Sequence, residues 1–131
     1  MPLAPRLTAS GHLTYAYGQQ PSADQPMRRI PPLNGLLSLR WESPWRAWLE
    51  GRLRVAGAQR RLAPGDLADH RIPKGGTDGW AVLDLHGGRP LGAGLRLTAG
   101  IANVFDAAYR VHGSGIDGVG RSAWLAARIA F

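Results

Sequence analysis

The 131-residue chain is long enough for one domain, and it contains no run of about 18 apolar residues, which excludes a transmembrane helix. It has no cysteine, so thiolate metal sites and disulfides are excluded and the redox compartment stays open. Its net charge of +7 comes from 15 arginines and one lysine, dispersed except at Arg28–Arg29 and Arg60–Arg61, which is a weak signal for nucleic acid and also what a GC-rich genome produces.

In chain order, six stretches alternate apolar and polar residues with the period of two that strands require. They cover about residues 7–17, 33–42, 46–57, 80–86, 95–104 and 122–131. In the first, Ala9, Gly11, Leu13, Tyr15 and Tyr17 oppose Thr8, Ser10, His12, Thr14 and Ala16. In the second, Leu33, Gly35, Leu37, Leu39 and Trp41 oppose Asn34, Leu36, Ser38, Arg40 and Glu42. The third sets Ala47, Leu49, Gly51, Leu53 and Val55 against Trp48, Glu50, Arg52 and Arg54. A helix is conceivable there, but Gly51 and Gly57 and the clean separation of charged from apolar positions favour a strand. Ala81, Leu83 and Leu85 oppose Val82, Asp84 and His86, and Leu95, Leu97, Ala99 and Ile101 oppose Arg96, Thr98 and Gly100. The last stretch places Ala123, Leu125, Ala127, Ile129 and Phe131 on one face, and Ser122, Trp124, Ala126 and Arg128 on the other. Its length is close to the roughly 9–11 residues a tilted strand needs to cross a bilayer.

The links between these strands fall into two kinds. Residues 42–44 and 86–94 make short turns, the second a Gly-rich stretch from Gly87 to Gly94. Residues 18–32, 58–79 and 106–120 make long, polar loops rich in glycine and proline. Short turns at one rim and long loops at the other are the construction of an outer-membrane barrel. On this plan Trp41, Trp45 and Phe131 lie near the short-turn rim. Tyr15, Tyr17, Trp80, Phe105 and Tyr109 approach the long-loop rim, as two interfacial girdles would.

The terminal strand ending on Phe131 resembles the C-terminal strand of bacterial outer-membrane barrels. Three further stretches are similar to TonB-dependent outer-membrane receptors: Arg29–Pro32, Asp66–Pro73 followed by Gly75, Gly76 and Thr77, and Asn103–Arg110. The last looks like the family's Asn-Leu-Phe-Asp-x-x-Tyr signature, continued by Gly113, Gly115 and Arg121. Asp78 departs from the family, where proline often follows Gly-Gly-Thr. The resemblance implies an all-β fold, a six-strand antiparallel meander over residues 1–131. It would be the last part of a 22-stranded transmembrane barrel, open or curled if alone. It implies a bacterial outer-membrane location and uptake of a scarce nutrient, most often a ferric siderophore. The implied partners are outer-membrane lipid, the remaining barrel and plug, the TonB system through an N-terminal part, and the barrel assembly machinery through the last strand. No signal peptide, TonB box or plug is visible, so this chain alone is not expected to transport.

Asn103, Phe105, Asp106, Tyr109, Gly113, Gly115, Arg121 and Phe131 are therefore the motif positions, and their expected role is structural. Asn103 and Asp106 suit a strand breaking into a loop, with Val104 and Phe105 anchoring it. No catalytic motif occurs, so no enzyme activity and no cofactor is expected. Of the histidines, His12 and His86 share the polar face and His112 lies in a long loop, too scattered for a metal site. Asp66 and Asp69 are too few for a calcium loop and are expected to pair with Arg60, Arg61 or Arg71. Arg40, Arg52, Arg54, Arg96 and Arg128 share the polar face with Glu42, Glu50 and Asp84. That face could attract an anionic ligand or consist of interstrand ion pairs, the second being favoured. The alternatives to a transport protein are a soluble six-stranded binding module with its apolar face buried, and a basic nucleic-acid-binding domain. Nucleic acid is not expected as a partner.

Overall fold

The computed structural model describes residues 2–92 and 94–130. Among these residues nine strands form: β1 (Pro2–Ala4), β2 (Leu7–Thr14), β3 (Gln19–Gln20), β4 (Gln25–Pro26), β5 (Asn34–Glu42), β6 (Trp48–Ala56), β7 (Trp80–Gly92), β8 (Leu95–Ala102) and β9 (Ser122–Ile129). Six of them, β2 and β5 to β9, make an antiparallel meander in which each pairs with the next, and the short β1 extends the edge beside β2. β3 and β4 form a separate small hairpin, and one helical turn, α1 (Pro64–Leu67), sits in the longest loop. Among the described residues the sheet does not close, because β1 and β9 are not paired with each other.

Several boundaries differ from the sequence expectation, each for a local reason. The first strand stops at Thr14, short of Tyr17. Thr14 pairs with Asn34, and the residues before Asn34 include Pro31 and Pro32, which have no N–H to continue the ladder. β6 begins at Trp48, because Arg46 turns the chain with a φ of 64°. The penultimate strand ends at Ala102, since Asn103 adopts a left-handed φ of 50°. The terminal Phe131 lies outside the described residues.

The largest correction concerns Gly87–Gly94, expected to be a turn. Gly87 and Gly88 are strand residues of β7 opposite Leu49 and Trp48, and the ladder continues to Gly92. A Cβ on Gly88 would lie 2.7 Å from the Thr98 methyl and 3.2 Å from the Trp48 indole nitrogen, so only glycine fits between those side chains. Gly92, the last residue of β7, and Gly94, just before β8, have φ of 89° and 75°.

The faces are sorted as the alternation predicts, but inverted relative to a water-soluble sheet. Charged residues line the inner, partly covered face, and leucines stand outward. Leu13 is 72% exposed, Leu37 53% and Leu125 75%. Among the described residues only Ala63, Ile72 and Val82 are buried apolar residues. The chain presents 9004 Å² to its surroundings. A compact soluble monomer of its 14.1 kDa would present about 6,700 Å². The outward rows are regular: Leu37 pairs with Leu53 and Leu53 with Leu83, while Leu39, Gly51, Leu85, Ile101 and Ala123 form the adjoining row. Long links (residues 15–33, 57–79 and 103–121) all leave one rim, and the short links after β1, β5 and β7 all leave the other.

Candidate functional site

The inner wall is held by ion pairs that run across the strands. Glu50, buried on β6, accepts from Arg52 at 2.7 Å, from Arg40 of β5 at 3.4 Å and from the Ser38 hydroxyl at 3.3 Å, and His86 of β7 lies 3.6 Å away. The Arg40 guanidinium lies 4.2 Å above the Trp48 ring, which meets His86 edge-on at 5.2 Å. One level higher, Arg54 donates to both oxygens of Asp84, at 2.9 and 3.4 Å. Of the two roles open to the polar-face arginines, interstrand pairing is what Arg40 and Arg54 adopt, while Arg52 pairs with Glu50 on its own strand. Arg96 and Arg128 do neither, and face each other directly on β8 and β9.

Asp84 also joins the wall to the last long loop, because its Oδ1 accepts the Asn103 backbone N–H at 2.8 Å. Asn103, 1% exposed, uses its whole side chain on that loop. Its Oδ1 accepts from the Ala107 N–H at 2.9 Å, and its amide donates to the carbonyls of Ala107 (2.9 Å) and Val119 (3.1 Å). Asp106, at a left-handed φ of 53°, accepts from the Arg121 backbone N–H at 2.7 Å, tying the start of the loop to its end. Tyr109 folds inward over Gly118, occupying the space a Cβ would need, and packs on Trp80 at 4.9 Å. Gly113 and Gly115 have φ of 75° and 78°, and Gly115 lies beneath the Arg71 side chain. Phe105, in contrast, is 76% exposed. Trp80 and Tyr109 belong to the inner face, while Tyr15, Tyr17 and Phe105 are exposed aromatics of the upper rim.

The loops interlock, which no local sequence signal indicates. Asp66, 2% exposed, accepts from the backbone N–H groups of Arg29 (3.1 and 3.3 Å) and Ala63 (3.3 Å), with the Arg28 guanidinium 3.6 Å away. Asp69 takes two hydrogen bonds from the Arg71 side chain at 2.9 and 2.7 Å and a third from Arg29 at 3.3 Å. Of the expected partners only Arg71 pairs with these aspartates. Arg60 reaches Asp78 instead, and Arg61 reaches Gln19 and the Gly18 carbonyl while stacking on Tyr17 at 4.3 Å. Arg28 and Arg29 supply the rest from a loop 37 to 40 residues away in sequence. The third loop joins through His112, whose Nδ1 lies 2.9 Å from the Thr77 hydroxyl. Burial holds this imidazole below its ordinary pKa, so it sits neutral at pH 7.

Beneath the loops, at the top of the inner wall, is a cavity of about 400 Å³. Pro31, Pro32, Leu36, Val55, Trp80 and Val111 give it an apolar lining, and His12, Asn34, Arg54 and His112 add polar atoms. His12 and His112 thus share one cavity, whereas His86 belongs to the Glu50 network. Among the described residues no group of three or more His, Asp or Glu is placed to hold a metal.

Neither a protein-family model nor a curated protein sequence matches the chain. Solved structures do. The copper transporter OprC aligns over 98% of this chain with a TM-score of 0.81 and 24% identity. The ferric-catecholate import receptor Fiu from E. coli K12, in its closed form, aligns over 99% with a TM-score of 0.71 and 17% identity. Both are β-barrel receptors of the TonB-dependent kind, and the likeness at these identities is one of fold. The chain spans about a fifth of the length of either, 22% and 19% respectively.

Proposed function

We propose that the chain is the C-terminal wall of a TonB-dependent receptor in the bacterial outer membrane, supplying six neighbouring strands and three outer loops to a nutrient-uptake barrel. The observation that carries this is the inverted sheet: a continuous leucine face turned outward, a charged face turned inward, and every long loop on one rim. Lipid would cover the outward face, and the rest of the barrel would pair with the two open edges, whose backbone groups hydrocarbon cannot satisfy. The inner wall would face a plug, energy would come from the TonB system, and the last strand would engage the barrel assembly machinery. The cargo in this proposal is a small metal-bearing nutrient, with a ferric siderophore the leading candidate. The copper and ferric-catecholate neighbours support metal uptake as the common theme. The cavity below the loops is where cargo would touch this wall, with Trp80 and Leu36 for its apolar parts and His12 and Arg54 for its polar ones.

A soluble binding module requires the leucine face to be covered by the chain itself, and it is not. The test is placement. Because the chain has no cysteine, single Cys at Leu37 or Leu53 gives a unique label site. Spin labels there should report hydrocarbon in outer-membrane vesicles, while a label at Asp78 reports water. Bulk water at both leucine sites would overturn the membrane reading.

A further inference from the structure

Among the described residues, the outward face of the six-strand sheet carries a single charged side chain. Arg89 of β7 pairs with Leu97, and it lies two residues beyond Gly87, which pairs with Leu49. It therefore shares the parity of Leu83 and Leu85, not that of Asp84 and His86. It is exposed, and its guanidinium meets no carboxylate among the described residues. Depth explains how a cation can stand there. Leu83, paired with Leu53 midway along the outward face, is six residues away on the same strand. At about 3.4 Å per residue and a tilt near 45°, Arg89 sits about 14 Å nearer the short-turn rim, at the edge of an apolar belt roughly 25 Å tall. From that level its methylenes can lie on apolar surface while the charge reaches the headgroups. The β5–β6 turn runs alongside, since Gly88 pairs with Trp48 and Arg46 precedes Trp48 by two residues. Arg46 is exposed and likewise meets no acid among the described residues, while Glu42 and Glu50 are both engaged by Arg40 on the inner side. Trp45, beside Arg46, is 78% exposed, and Trp41 stands on the outward face opposite Leu49. Indoles at this level mark the boundary between hydrocarbon and headgroup.

We infer that Arg89 and Arg46 hold the phosphodiester of an anionic glycerophospholipid in the leaflet at the short-turn rim, with Trp45 beside the headgroup and Leu49 and Leu97 against an acyl chain. A guanidinium presents two parallel N–H donors to phosphate oxygens, the geometry that favours arginine over lysine for this group. A zwitterionic lipid brings the same phosphate with a cation of its own, so two unpaired arginines select the anionic headgroup. A leucine at position 89 would suit hydrocarbon better, and the arginine there is explained by what it meets at the boundary. The inference rests on the barrel reading, which puts lipid on this face, and adds which lipid is held and where.

The test folds the whole chain in neutral detergent, titrates in brominated phosphatidylglycerol and follows the quenching of tryptophan fluorescence. Brominated phosphatidylcholine is the zwitterionic comparison, and inorganic phosphate the soluble competitor. Phosphatidylglycerol should quench at a concentration about 25-fold below that of phosphatidylcholine, about fivefold for each arginine. R46Q and R89L should each reduce this preference about fivefold, and R46Q/R89L should abolish it. R89L extends the leucine face, so its denaturant midpoint should not fall below that of the wild type, which keeps the loss of preference readable. Equal quenching of the wild type by the two lipids overturns the site, as does an unchanged preference in R89L. Displacement of phosphatidylglycerol by millimolar phosphate also overturns it, by making the site one for soluble anions. Labels at Leu37 and Leu53 separate the two levels. Hydrocarbon there with no preference for phosphatidylglycerol removes the lipid site alone, and water there removes the barrel reading and the lipid site together.

Discussion

Leu53→Arg is the sharpest probe of the outward face. Outward positions run from Leu7, level with Trp41, up to Tyr15 just beyond β2. At about 3.4 Å per residue and a tilt near 45°, residues 7–15 rise about 19 Å, comparable with the roughly 25 Å apolar belt of an outer-membrane barrel. Leu37, Leu53 and Leu83 pair at the middle of that rise. An arginine there should cost about 2–4 kcal/mol, or roughly 30- to 700-fold in the folding equilibrium. Leu49 pairs with Trp41, four residues and about 10 Å lower, so Leu49→Arg should cost only about 0–1 kcal/mol. The assay is urea unfolding in phospholipid vesicles of two acyl-chain lengths, with the Leu53→Arg penalty growing in the thicker bilayer. A flat profile between positions 49 and 53, or a penalty independent of lipid thickness, would refute the membrane depth assigned to this row.

Three further outcomes follow from contacts. Asn103→Ala removes three hydrogen bonds and leaves buried backbone groups of the last loop unpaired. It should cost about 2–3 kcal/mol and expose residues 104–120 to protease, while any affinity for cargo in correctly assembled protein stays unchanged. Glu50→Gln strands Arg40, Arg52 and His86 around a neutral amide and should lower the unfolding free energy measured by denaturant titration by about 1–2 kcal/mol, the partial exposure of both arginines limiting the loss. His112, held neutral below its ordinary value near 6.5, stabilises the join to Thr77 above that pH. As pH falls below 6.5 toward the lowered value, the unfolded loop binds the proton more readily, so hydrogen exchange in residues 103–121 should quicken; Thr77→Val should not remove this pH dependence, whereas His112→Phe should.

The period-two alternation made the sheet legible because a strand's two faces are written directly into consecutive residues, and the sorting of long and short links gave its direction. Gly87–Gly94 misled because glycine is ambiguous in sequence. The same residues that permit turns also permit large neighbours such as Trp48 to approach a strand, and only the paired strands reveal which applies. The Asn103–Tyr109 stretch was recognisable as a loop opening, since Asn and Asp bond nearby backbone. The outward exposure of Phe105 and the inward fold of Tyr109 depend on what lies above and below them. Least legible was the clamp of Arg28 and Arg29 on Asp66 and Asp69. Its partners sit on different loops, and loops carry no period by which one can be registered against another.

The unequal links bear on how the chain acquires its structure. Closing residues 57–79 costs about 1 kcal/mol more than closing residues 43–47, because closure entropy grows with the logarithm of length. Hairpins across the short links, β5 with β6 and β7 with β8, are therefore favoured as the first units, each zipping from the short-link end of its strands. Joining these preformed pairs is the slower step, and it brings the long loops together only after the strands have docked. The Asp66 and Asp69 clamps would then form late, so weakening them should speed unfolding while leaving the folding rate almost untouched.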